Sequence, residues 1–312
     1  MKRYDSLEAS LTVASQVLAI GFFDGFHRGH QAVLAKAKAM AKEKGASVVV
    51  LTFYPHPMTV LFPGLRVPLL CSEAEKEELL ADAGAGSVIC IRPTQEFLAA
   101  SAQDFMTKLS KLSGLVGIVT GENFSFGRGA LGHVEDLRRF FERAGIAVET
   151  AGLVLSQDGT PISSTCIRQC LQAGKIQEAE ELLGHPYRIH GDVVHGIARG
   201  SKILGFPTAN LALSEDRVIP ADGVYATFAI VLGRKYPAVT NVGKNPTFGN
   251  RSRTIETFIF NFDDSIYGQP FALEWKARIR DEIKFSGADA LKEQIALDIK
   301  RACQILCTHS SP

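Results

Sequence analysis

The chain has 312 residues, of which 46% are hydrophobic and 21% charged, and its formal net charge is +1. This length suits two domains, and the composition is that of a folded globular protein and not of a disordered chain. The near-neutral charge argues against bulk nucleic-acid binding. A cytoplasmic protein is expected, because neither a membrane helix of ~20 apolar residues nor a secretory signal is found.

The first half of the chain alternates between short apolar runs and helix-like segments. Strands are predicted at 17–23, 47–53, 87–91, 115–120 and 146–151. Helices are predicted at 30–45, 72–84, up to about 110, and 134–145, and the second opens with a capping box of Ser72 and Glu75. This repetition predicts an α/β domain with a doubly wound parallel sheet, in which ligands bind beyond the carboxyl ends of the strands.

The pattern changes after about residue 185 to strands and turns, which predicts domains at 1–185 and 186–312. Strands are expected at 224–232, 236–243, 253–263 and 271–281, with a hairpin joining the first two. One helix, at about 287–307, closes the chain. An antiparallel β-barrel with a terminal helix is the simplest arrangement for this half.

The six cysteines include two pairs spaced four apart in helix-like segments, Cys166/Cys170 and Cys303/Cys307. A zinc site built from these four is conceivable, but a short Cys-x-x-Cys knuckle is missing. Buried free thiols in a reducing cytoplasm are the better interpretation.

The segment "GFFDGFHRGH", which ends at His30, follows the first predicted strand and opens the first helix. Gly21 and Gly25 allow a tight turn, and free N–H groups near Gly29 suit an anion. His27 and His30 could hold a phosphate, bind a metal, pair as a base with its orienting partner, or lie on a capped surface helix. A metal would need a third ligand and supporting carboxylates, which this segment hardly supplies.

A second helix start, "ISSTCIR", places the hydroxyls of Ser164 and Thr165 at its N-terminus and Arg168 one turn later. Alone, this segment is an ordinary N-cap. Hydroxyls, N–H groups and a guanidinium also converge well on a polyphosphate. Together with the first segment it predicts a triphosphate site, in which His27 and His30 are donors and not metal ligands or the proton acceptor.

These two segments, "TFYPHP" (52–57) and "GENFSFG" (121–127) together resemble the adenylylating domain of bacterial FAD synthetases, over residues 15–185. Those domains belong to the HxGH nucleotidyltransferases. The resemblance implies that the FMN phosphate attacks the α-phosphate of ATP and releases pyrophosphate. It implies catalytic roles for His27 and His30. The residues that it implies for the ATP site are Gly21, Phe22, Asp24, Gly25, Gly29, Ser164, Thr165 and Arg168. Those that it implies for the flavin site are Phe53, Pro55, His56, Pro57, Asn123 and Phe126. Core packing is the alternative for the phenylalanines.

The segment "GIARGSKILGFPTANL" (196–211) combines a glycine-rich loop with two neutral oxygen ligands, Thr208 and Asn210. Such ligands suit Mg²⁺, which takes its other oxygens from water and phosphate. "NPTF" follows, and then Glu256 on a predicted strand. A lone strand glutamate is usually a solvated residue, but between two ligand-like loops it is a candidate general base.

This ordered set resembles riboflavin kinase over about 186–305. The resemblance implies a six-stranded barrel that phosphorylates the 5′-hydroxyl of riboflavin, with Glu256 taking the hydroxyl proton. The residues that it implies for ATP are Gly196, Gly200 and Lys202, and those for Mg²⁺ and the phosphates are Thr208 and Asn210.

Both resemblances together imply a bifunctional enzyme that converts riboflavin to FMN and FMN to FAD, using two ATP and Mg²⁺. The alternative is a nucleotidyltransferase for another phosphate-bearing substrate with a non-catalytic, ligand-binding barrel. "TFYPHP" and the order of Thr208, Asn210 and Glu256 argue against it. The expected partners are small molecules, without nucleic acid or membrane, and assembly into a homo-oligomer stays open.

Overall fold

The computed structural model describes residues 1–8, 15–194, 208–212, 216–244, 253–262 and 264–307. The chain divides into two compact units, Met1–Ser164 and Thr165–Pro312. The domain boundary that we expect after residue 185 lies further along the chain and stays a prediction. Gly196, Gly200, Lys202 and the "NPTF" segment (245–248) lie outside the described residues.

The first unit is built on a parallel sheet. Its strands are β1 (Lys2–Tyr4), β2 (Gln16–Ile20), β3 (Ser47–Phe53), β4 (Ser87–Ile91), β5 (Leu115–Gly121), β6 (Ser125–Phe126), β7 (Gly132–His133) and β8 (Ala147–Ala151). Six of them form one sheet in the order β1-β4-β3-β2-β5-β8, and β6 and β7 pair separately. The five predicted strands are confirmed, although the first ends at Ile20 and not at Phe23.

Helices pack on both faces of this sheet. They are α1 (Arg28–Glu43), α2 (Pro57–Leu61), α3 (Glu73–Asp82), α4 (Gln95–Ala99), α5 (Ala102–Ser110) and α6 (Val134–Glu142). Alternate residues of β2 enter two hydrophobic cores: Leu18 packs with residues of α5 and α6, whereas Val17 packs with residues of α1 and α3. The doubly wound arrangement is therefore confirmed, and so is the capping box of Ser72 and Glu75.

The strand order reverses beside β2. The chain moves outward through β3 and β4 on one side of β2 and through β5 and β8 on the other. The carboxyl ends of β2 and β5 therefore bound a topological switch point, where a parallel sheet leaves a crevice for a ligand.

The second unit is a closed barrel. Its elements are α7 (Ser164–Gln172), whose first residue is the last of the first unit, α8 (Ile176–Leu183), β9 (Arg188–Val194), β10 (Ala209–Leu211), β11 (Gly223–Val231), β12 (Arg234–Lys244), β13 (Arg253–Ile259), β14 (Pro270–Arg280) and α9 (Ala288–Cys307). The six strands are antiparallel in the order β10-β13-β12-β11-β14-β9. The predicted barrel, its terminal helix and the hairpin between β11 and β12 are confirmed.

Strand alternation separates the inside of the barrel from its outer face. The buried Thr240 hydroxyl lies 2.8 Å from that of Thr227 and 3.0 Å from that of Thr257, which links three strands inside the barrel. Phe258, on the opposite face of β13, packs against the core that includes Ala302 and Leu306 of α9. Residue 256 has the parity of 258 and therefore lies on the outer face. Among the described residues, no helix combines the length and hydropathy of a membrane span.

Candidate active sites

The segment of residues 21–30, here called the histidine turn, joins β2 to α1 through a strained backbone. Phe23, Gly25 and Phe26 have φ values of 55°, 72° and 38°. This left-handed region is costly for residues other than glycine, so neighbouring contacts must hold the two phenylalanines there. Phe23 and Phe26 are both buried in the core beside α1, which supplies part of that support.

Asp24 anchors the histidine turn to the segment before α3. Its side chain is 1% exposed, and its Oδ1 accepts hydrogen bonds from the backbone N–H groups of Leu70 at 2.9 Å and Cys71 at 3.2 Å. The N–H of Gly25 donates to Cys71 Sγ at 3.0 Å. The Asp24 carboxylate therefore stabilises the histidine turn. Its contact with ATP stays a prediction.

The two histidines lie face to face. Their ring centroids are 3.7 Å apart with an angle of 20° between the planes, and His30 also meets the Phe23 ring at 5.2 Å. Burial lowers the pKa of His30 well below its usual value, and the charges of His27 and Lys76 lower it further. His30 is therefore neutral at physiological pH, and within the described residues its Nδ1 has no hydrogen-bond partner. A neutral imidazole still offers one N–H donor to a ligand.

Gly29 makes room for this pair. A Cβ atom at Gly29 would lie 3.1 Å from both Cε1 and Nδ1 of His27. Since that spacing is tighter than ordinary van der Waals contact, any other residue at this position would push the His27 ring aside.

A cavity of about 220 Å³ opens at the carboxyl ends of β2, β5 and β8. Of the residues that the sequence predicts for the site, Gly21, His27, Gly29, His30 and Asn123 line it. Sequence reasoning missed five further lining residues that follow β5 and β8, which are Glu122, Phe124, Gly152, Leu153 and Val154, and also Ile162, which lies just before α7. The cavity lies at the switch point of the sheet, as the topology predicts.

The "ISSTCIR" segment starts a helix, as predicted. Helix α7 begins at Ser164, whose Oγ donates to the backbone carbonyl of Asp24 at 3.1 Å and so ties this position to the histidine turn. Thr165 and Arg168 follow on α7 and belong to the second unit, with Thr165 exposed and Arg168 half-buried. Their approach to a phosphate stays a prediction.

The "TFYPHP" segment ends β3 and leads into α2. The Nδ1 of His56 accepts a hydrogen bond from the N–H of Met58 at 3.1 Å and caps α2, which begins at Pro57. The His56 ring meets the edge of Phe22, with 4.4 Å between the centroids. Pro55 is exposed between Tyr54 and His56. This arrangement places the predicted flavin segment directly beside the histidine turn.

The phenylalanines predicted for the flavin site pack into the core. Phe126 is 7% exposed and meets Phe105 at 5.1 Å, and Phe53 is half-buried with Phe97 at 6.0 Å. Phe124, two residues before Phe126, lines the cavity instead. The flavin roles of Phe53 and Phe126 therefore stay predictions, and Phe124 is the ring placed to contact a ligand.

The barrel brings Glu256 between two asparagines. In the strand register Glu256 of β13 is the direct partner of Asn210 on β10 and of Asn241 on β12. Direct cross-strand neighbours on one face have Cβ atoms about 5 Å apart. Burial raises the pKa of the half-buried Glu256 carboxyl. Asn241 was missed from sequence because only the register shows that it is a neighbour of Glu256.

A second cavity of about 220 Å³ opens in the barrel beside Thr208. Its wall also includes Val193, Ala209, Thr257, Ile259, Phe262, Asp264, Ser265, Ile266 and Tyr267. Thr208 immediately precedes β10 and lies two residues before Asn210, so the cavity wall and the Asn210–Glu256–Asn241 row are adjacent along the chain. Hydroxyl, amide and carboxylate oxygens are the donor types that suit Mg²⁺.

Comparisons with known proteins cover both halves of the chain. A family model described as FAD synthetase matches residues 11–166, and one described as riboflavin kinase matches residues 183–306. A protein of Listeria monocytogenes is 37% identical over 92% of this chain and 91% of its own length, and one of Bacillus subtilis is 36% identical over 93% and 92%. Both are named bifunctional riboflavin kinase/FMN adenylyltransferase.

A crystal structure from Streptococcus pneumoniae shows a similar fold along nearly the full chain. It has a TM-score of 0.88 and 34% identity, and the likeness covers 96% of this chain and 97% of that one. It is described as a macrolide-efflux protein. The family models and the curated relatives agree instead on two flavin enzymes, with one matched range on each of the two candidate sites.

Proposed function

The chain belongs to the family of bifunctional riboflavin kinase/FMN adenylyltransferases, and we propose how its two sites divide the work. The barrel phosphorylates riboflavin to FMN, and the parallel-sheet unit joins FMN to the adenylyl group of ATP. The observation that carries this division is that each unit has its own set of reactive groups: a histidine-lined cavity at the switch point of the sheet, and a half-buried glutamate between two asparagines in the barrel.

In the parallel-sheet unit, a phosphate oxygen of FMN attacks the α-phosphorus of ATP, and the bond to the β-phosphate oxygen breaks to release pyrophosphate. His27 and His30 donate N–H groups to the phosphate oxygens as charge develops there. The free N–H groups at the start of α1 act in the same direction. No covalent intermediate with the protein is needed, so catalysis consists of positioning and electrostatic stabilisation. The face-to-face stacking of the two imidazoles and the lowered pKa of His30 support this role.

The substrates of this site lie along the crevice between the histidine turn and the strand ends. We assign ATP to the side of Gly21, Phe22, Gly25 and Gly29, with Ser164, Thr165 and Arg168 on its β- and γ-phosphates. Asp24 supports this side through the backbone of Leu70 and Cys71. The flavin lies toward the loop of Pro55, His56 and Pro57, with Asn123 and Phe124 at the end of β5 facing the cavity.

In the barrel, Glu256 takes the proton of the riboflavin 5′-hydroxyl, and the resulting oxygen attacks the γ-phosphorus of ATP while ADP leaves. A carboxylate whose pKa is raised by burial is a stronger base than an exposed one. Asn210 and Asn241, its direct neighbours in the register, orient the carboxylate and the hydroxyl. The nucleotide occupies the cavity beside Thr208, where Tyr267 offers a ring to the base.

The oxygen donors of the barrel fit Mg²⁺. Thr208 and Asn210 would hold it through a hydroxyl and an amide oxygen, which are the neutral ligands that this ion accepts when phosphates supply the negative charge. The ion neutralises charge on the transferred phosphate when it is bound. Gly196, Gly200 and Lys202 would complete the phosphate loop, and they lie outside the described residues.

We further propose that the protein works in the cytoplasm on small molecules. All six of its cysteines are free thiols, as is usual for proteins of reducing compartments. Riboflavin, FMN and ATP are the substrates of the two steps.

A product assay tests this function. Purified protein is incubated with riboflavin and Mg·ATP, and the flavins are separated by chromatography. We expect FMN to appear first and FAD to follow, with FAD forming directly when FMN is supplied. FMN without any FAD, even from added FMN, would contradict the adenylyl transfer, and FAD from FMN without any phosphorylation of riboflavin would contradict the kinase step.

A further inference from the structure

The first unit contains a buried lysine that neither motif includes. Lys76, on α3, is only 2% exposed. Lysines are almost never buried to this degree unless they are paired, because the charged ammonium loses its hydration. In the described residues no carboxylate lies within 4 Å of its Nζ. Such a residue needs an explanation beyond packing, since a methionine would fill the same space without that cost.

The contacts of Lys76 reach two separate parts of the chain. Its Nζ donates to the backbone carbonyl of Phe53 at 3.1 Å and lies 3.4 Å from Thr52 Oγ1, at the carboxyl end of β3. The same Nζ lies 4.2 Å from the centroid of the Phe22 ring. Thr52 Oγ1 in turn donates to the carbonyl of Phe22 at 2.9 Å. Lys76 therefore links the end of β3 to the start of the histidine turn.

Both linked parts lead directly into the adenylyl transfer site. Phe22 lies within the histidine turn, five residues before His27. Phe53 is followed by residues 54–57, here called the YPHP loop, and the His56 ring of that loop meets the Phe22 ring. The Phe22 ring thus contacts both the Lys76 ammonium and the His56 imidazole. A shift at Lys76 would change the spacing between the two parts that face the two substrates.

We propose that Lys76 is a positioning residue for adenylyl transfer, which holds the YPHP loop against the histidine turn. The inference rests on the proposed assignment of that reaction to the first unit. Lys76 touches no reacting atom: it acts through Phe22 and the carbonyl of Phe53. Its charge also acts on the histidine pair, because a nearby cation opposes protonation of His30.

Two opposing influences act on the pKa of Lys76. Burial lowers the pKa of its ammonium, while Cys71, Asp24, Cys90 and Glu73 act in the opposite direction. His30 for its part stacks on His27 and meets the edge of the Phe23 ring, and the charge of Lys76 lowers its pKa. Removing the Lys76 charge should therefore make His30 easier to protonate and raise its pKa. A neutral side chain packed in the same place would have no such effect on the histidines.

The test compares Lys76→Met with wild type in the full-length protein. Methionine keeps the volume and removes the charge and its hydrogen bonds. We expect kcat/KM for FMN in adenylyl transfer to fall about 10- to 100-fold, as for the loss of charge-assisted hydrogen bonds that position a substrate site. The acid limb of the pH profile should move to higher pH, and riboflavin phosphorylation by the same preparation should be unchanged.

Two further variants separate charge from shape. Lys76→Arg keeps the charge, so it should keep the wild-type acid limb even if the rate falls. Lys38→Met is the matched control: Lys38 is exposed on α1 and also donates to a backbone carbonyl, that of Ala83 at 2.9 Å. It should leave both activities and the pH profile unchanged.

The outcomes are distinct. If wild type makes FAD but Lys76→Met matches it in kcat, KM and acid limb, or only melts at a lower temperature, Lys76 has no positioning role. If wild type makes no FAD from added FMN, the proposed function itself fails.

A second variant, Thr52→Val, decides the question if Lys76→Met does not fold. It removes the hydroxyl that links Lys76 to the carbonyl of Phe22 and keeps the charge of Lys76. We expect kcat/KM for FMN to fall about fivefold in Thr52→Val, and an unchanged value would overturn the inference.

Discussion

The two active sites of this chain are built from different parts of the backbone. In the parallel-sheet unit the site lies in loops beyond the strand ends, on a turn with three left-handed residues. In the barrel it lies on the strands themselves, where the register puts Asn210, Glu256 and Asn241 side by side. The first site therefore depends on main-chain geometry, and glycines are as important to it as side chains. The second depends on pairing, so a side chain can be changed there without moving its neighbours.

The largest effect should come from the barrel. Glu256→Gln keeps the shape of the side chain and removes the base, so riboflavin phosphorylation should fall about 10²- to 10⁴-fold. FAD formation from added FMN should be unchanged, because no barrel residue acts in that step. Both steps are measured by chromatography of the flavins. Loss of both activities would mean that the two sites are not separate.

The reciprocal change addresses the histidine turn. His30→Ala removes one donor to the developing charge and should lower adenylyl transfer about 10²- to 10³-fold. Phosphorylation of riboflavin should continue at the wild-type rate, so FMN should accumulate. If FAD formation in His30→Ala equalled that of wild type, the phosphate role of the pair would be wrong.

Two glycines, Gly29 in the first turn of α1 and Gly45 just after its end, test how far the first site depends on backbone geometry. In Gly29→Ala the new Cβ would lie 3.1 Å from the His27 ring, so adenylyl transfer should fall about tenfold through displacement of that ring. Gly45→Ala is the control, at a φ of +60° with open space around it. It should lose about 1 kcal/mol of stability and keep its activity. Rates and melting temperatures are measured for both, and equal activity losses would contradict the steric role of Gly29.

The smallest effect concerns stability and pH. Burial raises the pKa of Glu256 above that of an exposed glutamate, so ionisation at neutral pH destabilises the folded state. Glu256→Gln should therefore melt at a higher temperature than wild type at about pH 7, and this gain should vanish as the pH falls through the raised pKa. Thermal melts at about pH 7 and about pH 4 measure the difference. A gain that persists at low pH would have to come from packing and not from ionisation.

Much of the first unit is predictable because its signals are local. Apolar runs and caps identify the strands and helices, and the capping box of Ser72 and Glu75 occurs as predicted. The prediction for β2 extends three residues too far, since the apolar Phe22 and Phe23 continue the run while Phe23 adopts a left-handed turn. The short, charged β1 was missed, because three residues with little apolar character give no strand signal.

The parts that were missed depend on long-range contacts. Asn241 becomes a site residue only through its pairing with Glu256, and sequence alone does not give the register of a closed barrel. Lys76 sits in a helix rich in glutamate, where a lysine is typical of a solvated face. Its burial follows from the packing of α3 on the histidine turn. Phe124 and Phe126 are the same residue type two positions apart, so sequence alone does not distinguish them. Only the fold shows that Phe126 lies in the core and Phe124 at the cavity.

The two units also differ in the strand edges that they offer to other chains. Within the described residues the barrel strands close on themselves without an edge, whereas the parallel sheet ends in β1 and β8. Both edges carry charge: Arg3 of β1 forms ion pairs with Glu73 and Glu77, and Glu149 of β8 pairs with Lys36. Charged, short edge strands resist pairing with a second copy. The sheet can therefore keep its ligand-binding crevice open at one end without becoming a template for aggregation at its sides.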